Sequence, residues 1–408
     1  MIGGKISCGL DIGSRQIKAS LVRPRKNSDP ELIGLAECPT RGLKESTVTD
    51  LGQLAQSVQG CLSDLSVKTG MRVKEVNLGV SGHFIEARFS QAVIPLLERG
   101  HKVITKIDIE RVKKDACFLG INMEEAVLHC APIMFTLDDR HQVISPLGLH
   151  GHKLKVELLM IVAKENLLNN VVKAVNQAGF EAAGVHYSSY AAATAVFDHK
   201  AMKDGCLLID VGASITGLLL FKEGVLQKLE LIPFGGEEIS TAIASQLQLS
   251  GDLAEDIKKS HADVVSEEDK KREEILVKRE ENYVPVKRDM IFAAADSRIR
   301  QFLTQLKQIF DNTPQVREIG TDIILIGGSA LLTGLIERME RQVQRRIKLG
   351  KLLLPTSFRN IGPGFYAAVG LALAKKSFGG GFWESMGEGK NSWEVLRNRV
   401  RELYYEYF

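Results

Sequence analysis

The chain has 408 residues, 44% hydrophobic and 25% charged, with a formal net charge of +3. This is ordinary globular composition with room for two or three packed units, and it excludes a disordered, collagenous or disulfide-framework chain. The mild charge argues against a nucleic-acid partner. The aromatics are unevenly spread: Phe378, Phe382, Trp383, Trp393, Tyr404, Tyr405, Tyr407 and Phe408 crowd the C-terminal end and include both tryptophans. A core does not collect its aromatics at a chain end, so this segment needs its own explanation.

In chain order, residues 5–10 read as a strand, 11–14 as a polar glycine turn and 17–22 as a second apolar stretch. Residues 31–37 continue as a strand. Asp50 is a good N-cap for a helix whose Leu51, Leu54, Val58, Leu62 and Leu65 recur at helical spacing. A strand follows at 76–80. From 85 to 164 the pattern changes to strand (84–94), helix (108–118) and two further strands (126–135, 153–162), which reads as a small α+β insert. A helix at 166–178 closes at Gly179. A second strand–turn pattern runs from Cys206 to Leu231. The doubly charged run 266–281 reads as a solvated helix. Residues 296–310 form an amphipathic helix, 323–326 a strand, 362–374 a small-residue helix, and 378–392 a glycine-rich linker.

Cys8, Cys38, Cys61, Cys117, Cys130 and Cys206 show neither a CxxC pair nor zinc spacing. Free, mostly buried thiols in a reducing cytoplasm are expected. The N-terminus reads as strand and turn instead of a signal peptide, and no apolar run approaches the ~18 residues of a membrane span.

Three strand–glycine-turn units carry the chemistry: GLDIGS at 9–14, LLIDVGAS at 207–214 and ILIGGS at 324–329. Glycine turns at strand ends expose backbone N–H groups that form anion-binding concavities suited to phosphate. In the first two, Asp11 and Asp210 end the strand. A carboxylate there repels phosphate directly but holds a hydrated Mg²⁺ that bridges phosphate oxygens. Lys18 returns along the next strand toward the same place as a point charge. Any one unit is equally well a tight turn that needs glycine. Their repetition predicts two similar half-domains facing one nucleotide.

With these residues the chain resembles the actin-like ATPase superfamily and, within it, the bacterial cell-division family FtsA. Asp11, Gly13, Ser14 and Lys18 are similar to the first phosphate loop of that superfamily. Asp210, Gly212, Ser214 and Thr216 are similar to its second. Gly235, Gly236 and Glu237 resemble its ribose-side segment, and Gly327, Gly328 and Ser329 its adenosine motif. RGLKESTVTD (41–50), LGVSG (78–82), His129 with Pro132 and Phe135, SPLGLHG (145–151) and FYAAVGL (365–371) match FtsA-type segments in order. The resemblance thus covers nearly the whole chain.

The resemblance implies an α/β, actin-like two-domain ATPase fold with a nucleotide cleft and an FtsA-type inserted α+β subdomain. The first domain would comprise residues 1–84, 165–199 and 358–377, interrupted by the insert at 85–164. The second would span 200–357, with its own subdomain at about 238–320. ATP and Mg²⁺ are the implied cofactors, with Asp11 and Asp210 reaching the metal through water. The implied partners are the C-terminal peptide of the tubulin-like protein FtsZ, further copies of the chain, membrane lipids and other division proteins. The implied location is the inner face of the cell membrane at the division site.

One departure bears on activity. The family's second loop usually reads Asp-x-Gly-Gly-Gly-Thr-Thr-Asp, whereas Ala213, Ser214, Ile215 and Gly217 stand at four of those positions. The added Cβ atoms crowd a phosphate and the final acid is lost, so hydrolysis is expected to be slow or absent.

In the tail, Trp393, Leu396, Val400, Leu403, Tyr404, Tyr407 and Phe408 recur at steps of three and four, with Arg397 and Arg401 along one edge. A helix over 393–408 is ~24 Å long, too short to span but suited to lying flat in the headgroup region. Its Trp and Tyr favour that depth. The alternative, docking on the chain's own body, accords poorly with the glycine leash, and the FtsA resemblance also implies such an anchor. Two other functions fit the fold. One is a PilM-like component of type IV pilus or secretion assembly that binds a membrane partner's peptide. The other is a small-molecule kinase, for which no acceptor base stands out.

Overall fold

A computed structural model describes residues 6–25, 29–96, 102–264, 274–279, 282–318, 323–354, 358 and 361–374. The proposed linker and tail, 378–408, lie outside these residues.

The framework is one sheet built twice. In the first sheet, strand Ser7–Ile12 runs parallel to Glu75–Val80, which is followed by Glu181–Tyr187. On its other side come Gln16–Arg23 and Glu31–Pro39, each antiparallel to its neighbour. The second sheet repeats this order and sense. Cys206–Val211 is parallel to Ile323–Ile326 and then Ile347–Leu349, and antiparallel to Thr216–Lys222, which is antiparallel to Val225–Ile232. The central strands Ser7–Ile12 and Cys206–Val211 are nearly continuous apolar runs, as strands covered on both faces require.

Local signals set the element ends. Asp50 accepts from the Gln53 backbone N–H at 2.9 Å, and Gly70 closes the same helix, Leu51–Thr69, at φ 67°. The helix expected at 108 starts two residues earlier, as Lys106–Leu119, because Thr105 caps it and Asp108 completes a capping box from the third position. That helix packs on a four-stranded antiparallel sheet in the order His141–Val143, Glu125–Leu137, Lys153–Lys164, Ile85–Pro95. Val112, Ala116, Phe135, Leu154, Val156, Leu158 and Met160 give this unit its own apolar centre.

Two expectations are overturned. Part of the charged run is strand: Glu274–Arg279 pairs with Asn282–Lys287, and Ile275 stands opposite the buried Val286. Its apolar residues, Ile275, Leu276 and Val277, are consecutive and too few to show a period amid the charge around them. Nor are all six thiols free. Cys117, on the helix Lys106–Leu119, is disulfide-bonded to Cys130 on the adjoining strand, while Cys8, Cys38, Cys61 and Cys206 form no disulfide. Helix-on-sheet packing brings together two cysteines whose sequence spacing carries no motif.

The two halves are joined through small residues. Helices Ser188–Val196 and Tyr366–Leu373 pack closely on each other, and the second also packs on strand Ser7–Ile12. Gly370 lies so near the Ala191 backbone, and Gly9 so near Ala368, that a side chain at either would overlap main-chain atoms. The surrounding core is continuous from Leu10 and Leu78 of the first sheet to Leu208 and Phe221 of the second. Gly370→Val is therefore expected to destabilise the whole body by about 3 kcal/mol or more, read as a large fall in thermal midpoint, because rigid backbone must move to admit it.

Candidate functional site

The duplicated sheets bring two hairpins to one cavity of about 520 Å³. Each has the same local construction. In the first, Asp11 pairs with Lys18 and the Gly13 N–H donates to the Gln16 carbonyl at 3.2 Å. In the second, Asp210 pairs with Gly217 and the Gly212 N–H donates to the Ile215 carbonyl at 3.0 Å. Both glycines are needed because a Cβ would press on the carbonyl that closes the turn. The third unit arrives at the end of strand Ile323–Ile326. Gly327 takes φ 95° with its α-carbon against the Val211 carbonyl, where a side chain has no room.

Around the cavity stand Asp11, Gly13, Ser14, Lys18, Asp210, Gly212, Ser214, Gly236, Glu237, Gly327, Gly328 and Ser329. Two residues of the same motifs are turned elsewhere. Thr216 is fully buried and donates its hydroxyl to the Phe234 carbonyl at 2.8 Å, so the expectation that it offers this hydroxyl to a ligand is corrected. Gly235 lies behind the wall, against the Ala213 and Ser214 backbone. The next two amides, Gly236 and Glu237, donate to the carbonyls of Gly212 and Ala213 at 3.0 and 2.8 Å. Ser329 Oγ adds a bond to the Gly212 carbonyl at 2.9 Å. The 235–237 segment and Ser329 thus brace the second hairpin from outside. The tail residues Trp393, Leu396, Arg397, Val400, Arg401, Leu403, Tyr404, Tyr407 and Phe408 lie outside the described residues.

The motifs missed the residues that steady the two acids. Ser188 and Ser189 open helix Ser188–Val196. Ser188 Oγ donates to Asp11 Oδ1 at 2.6 Å, and the Ser189 hydroxyl bonds the Asp210 carboxylate. Burial raises the Asp11 carboxyl above its ordinary range, against the opposing Ser188 bond and Lys18 charge. Burial also pushes Asp210 up to about 6, with Asp11 adding repulsion while Ser189 and Lys18 act the other way. Lys18 sits 5.7 Å over the Phe365 ring, beside Gly364. The far wall carries Glu255, nearly buried, which accepts from Ser240 Oγ at 2.6 Å and Lys258 Nζ at 2.7 Å. The Glu–Lys pair three apart on one helix was the available signal for that wall.

Chemically, the site offers two glycine hairpins, two cation-seeking carboxylates and one lysine on one side, and a charged polar pocket opposite. Among the described residues no three His, Cys, Asp or Glu side chains are grouped to hold a metal ion by themselves. The donor set suits a hydrated Mg²⁺ that shares its shell with phosphate oxygens, since a cation relieves the cost of charging two acids raised by burial. Ser189→Ala is expected to raise the Asp210 pKa further, by about half a unit or more, since the lost bond favours the charged form. Carboxyl carbon NMR across a pH series would read the shift.

The model of the family described as "Cell division protein FtsA" matches residues 207–370, and that of the "SHS2 domain inserted in FTSA" matches 82–162. Between them they cover more than half of the chain. The cell division protein FtsA of Streptococcus pneumoniae serotype 2 (strain D39 / NCTC 7466) is 28% identical over 342 residues, covering 84% of this chain and 74% of that protein. Among solved structures, a chain of the PilM–PilN type IV pilus biogenesis complex superposes with a TM-score of 0.66 at 20% identity, covering 90% of this chain and 97% of that one. MreB5 of Spiroplasma citri bound to ADP superposes at 0.54 and 13% identity, covering 92% and 98%. These two likenesses concern the fold, which is actin-like. With both family matches and this duplicated framework, the chain belongs to the FtsA family of cell-division proteins.

Proposed function

We propose that this protein binds ATP with Mg²⁺ in the cleft, assembles into filaments, and tethers FtsZ to the inner face of the cytoplasmic membrane at the division site. The nucleotide part is carried by one observation: two hairpins of the same construction present Asp11 and Asp210 to a single cavity, with Lys18 beside them. The triphosphate would lie between the tips at Ser14 and Ser214. Mg²⁺ would sit by Asp11 and Asp210 through water and neutralise phosphate charge. Gly236, Glu237, Glu255 and Lys258 would form the sugar side, and Gly327 to Ser329 the adenosine side. Turnover is expected to be slow, because Ala213, Ser214, Ile215 and Gly217 replace the usual loop residues. Asp210→Ala and Lys18→Ala should each weaken ATP–Mg²⁺ binding about tenfold or more by calorimetry. Unchanged affinity in both would remove the nucleotide from this cleft.

The tethering part rests on family membership and on the apolar face of 393–408. Among the described residues no helix is long and apolar enough to cross a membrane. The 393–408 segment carries three Arg and three Glu, so apolar burial must supply most of its membrane affinity. One weak helix per subunit holds firmly only when many are gathered, which filament assembly provides. The rival PilM-like reading has only the fold in its favour. Removing residues after Lys376 should abolish flotation with liposomes, and the full chain should capture the FtsZ C-terminal peptide. Equal flotation of both forms would sink the anchor, and failure to capture the peptide would turn the reading toward the pilus-type alternative.

A further inference from the structure

Arg15 follows the glycine and serine of the first hairpin, yet its side chain leaves its own half of the molecule. Its Nη2 lies 3.2 Å from Asp252 Oδ1, its Nε 3.6 Å from Glu255 Oε2 and its Nη1 3.9 Å from Glu237 Oε1. Those carboxylates belong to helices Gly236–Leu247 and Gly251–His261, which pack on the second sheet's side of the cavity. The base of the side chain is firmly set. The Arg15 carbonyl accepts from the Thr40 N–H at 2.9 Å, and the Thr40 hydroxyl donates to the Gly13 carbonyl at 2.7 Å. One planar guanidinium with five donors is the group that fits three carboxylates converging from two helices.

The three partners are unequal. Glu255 is almost buried and already held by Ser240 and Lys258, so it is a fixed point. Asp252 is fully exposed and Glu237 about half exposed, so their pairs are weak, salt-screened and easily exchanged. Arg15, Glu237 and Glu255 all border the cavity.

We propose that Arg15 is a latch across the mouth of the cleft, joining the two halves and slowing the passage of a nucleotide into and out of it. The geometry of the latch stands by itself; its effect on exchange rests on the nucleotide reading above. Of the three contacts, the exposed two supply the part that opens, and the buried one returns the side chain to its place.

The test uses the full chain without nucleotide, in a Cys38→Ser background, with spin labels at Val67→Cys on helix Leu51–Thr69 and Lys307→Cys on helix Arg288–Asn312. Both positions are exposed and lie in opposite halves. Arg15→Ala should lengthen and broaden the distance distribution. Asp252→Ala should do so in the same direction. Raising ionic strength roughly tenfold should move the unsubstituted latch but leave Arg15→Ala unchanged. Identical distributions with and without Arg15 would overturn the latch. In a second measurement, release of a fluorescent ATP analogue should speed up about fivefold in Arg15→Ala and shift the same way in Asp252→Ala. Loss of binding in Arg15→Ala with no effect of Asp252→Ala on release or distance would make Arg15 a ligand contact instead of a latch. If the unsubstituted protein fails to bind the analogue, the nucleotide reading falls, and the distance measurement still decides the latch.

Discussion

Two carboxylates that belong to different sheets, Asp11 and Asp210, must share one cavity wall, and the rest of the molecule is arranged around that demand. Each acid sits at the end of a central strand whose other residues are buried, so neither is free to swing into bulk water. Burial opposes their charge, and Asp11 adds to the cost of ionising Asp210. The helix Ser188–Val196 resolves the conflict by offering one hydroxyl to each acid from adjacent residues, Ser188 and Ser189. For that to work, the start of one helix must reach both strand ends at once. The glycine contacts at Gly9 and Gly370 let the backbones approach closely enough. Close packing at the junction and the electrostatics of the site are therefore one constraint.

The same helix ties the insert to this junction. His129, on strand Glu125–Leu137, packs against Tyr190 with ring centroids 3.9 Å apart and planes tilted by 38°, and Tyr190 lies 5.9 Å from Phe221 on the second sheet. Tyr190 directly follows the two serines. One ring contact and one helix thus connect the insert to the residues that hydrogen-bond the cleft acids. His129 matched a family segment in the sequence without an evident task; its contact with Tyr190 supplies one in packing terms.

What the sequence made legible was local. The glycine turns, the Asp50 cap and the strand ending at Ile326 each depend on residues within a few positions of one another, and period and turn chemistry report them directly. The charged run misled because its apolar residues, Ile275 to Val277, form only a short stretch among many charges. Ser188 and Ser189 were out of reach for a different reason. Ser188 and Asp11 are 177 positions apart, and serine at a helix start ordinarily reads as a cap. Cys117 and Cys130 likewise meet only because a helix lies down on a strand. Thr216 shows the converse error: its position in the motif pointed to the ligand, but a side chain in an antiparallel pair faces one side only, and its side is the core.

The departures in the second hairpin acquire a physical sense from its neighbours. The position where a side chain would collide is Gly212, whose α-carbon faces the Ile215 carbonyl, and it is retained. Beyond it, the crowding falls on the approaching segment: Gly235 comes so close to the Ala213 backbone and the Ser214 amide that the glycine is required there. That contact is with main-chain atoms, so it holds whatever side chains stand at Ala213 and Ser214. What they change is the ligand side, where Cβ atoms stand at the tip of the hairpin. Gly236, Glu237 and Ser329 meanwhile fix the hairpin's carbonyls from behind. The arrangement keeps the backbone shape of the first hairpin while placing side-chain atoms at the tip of the second.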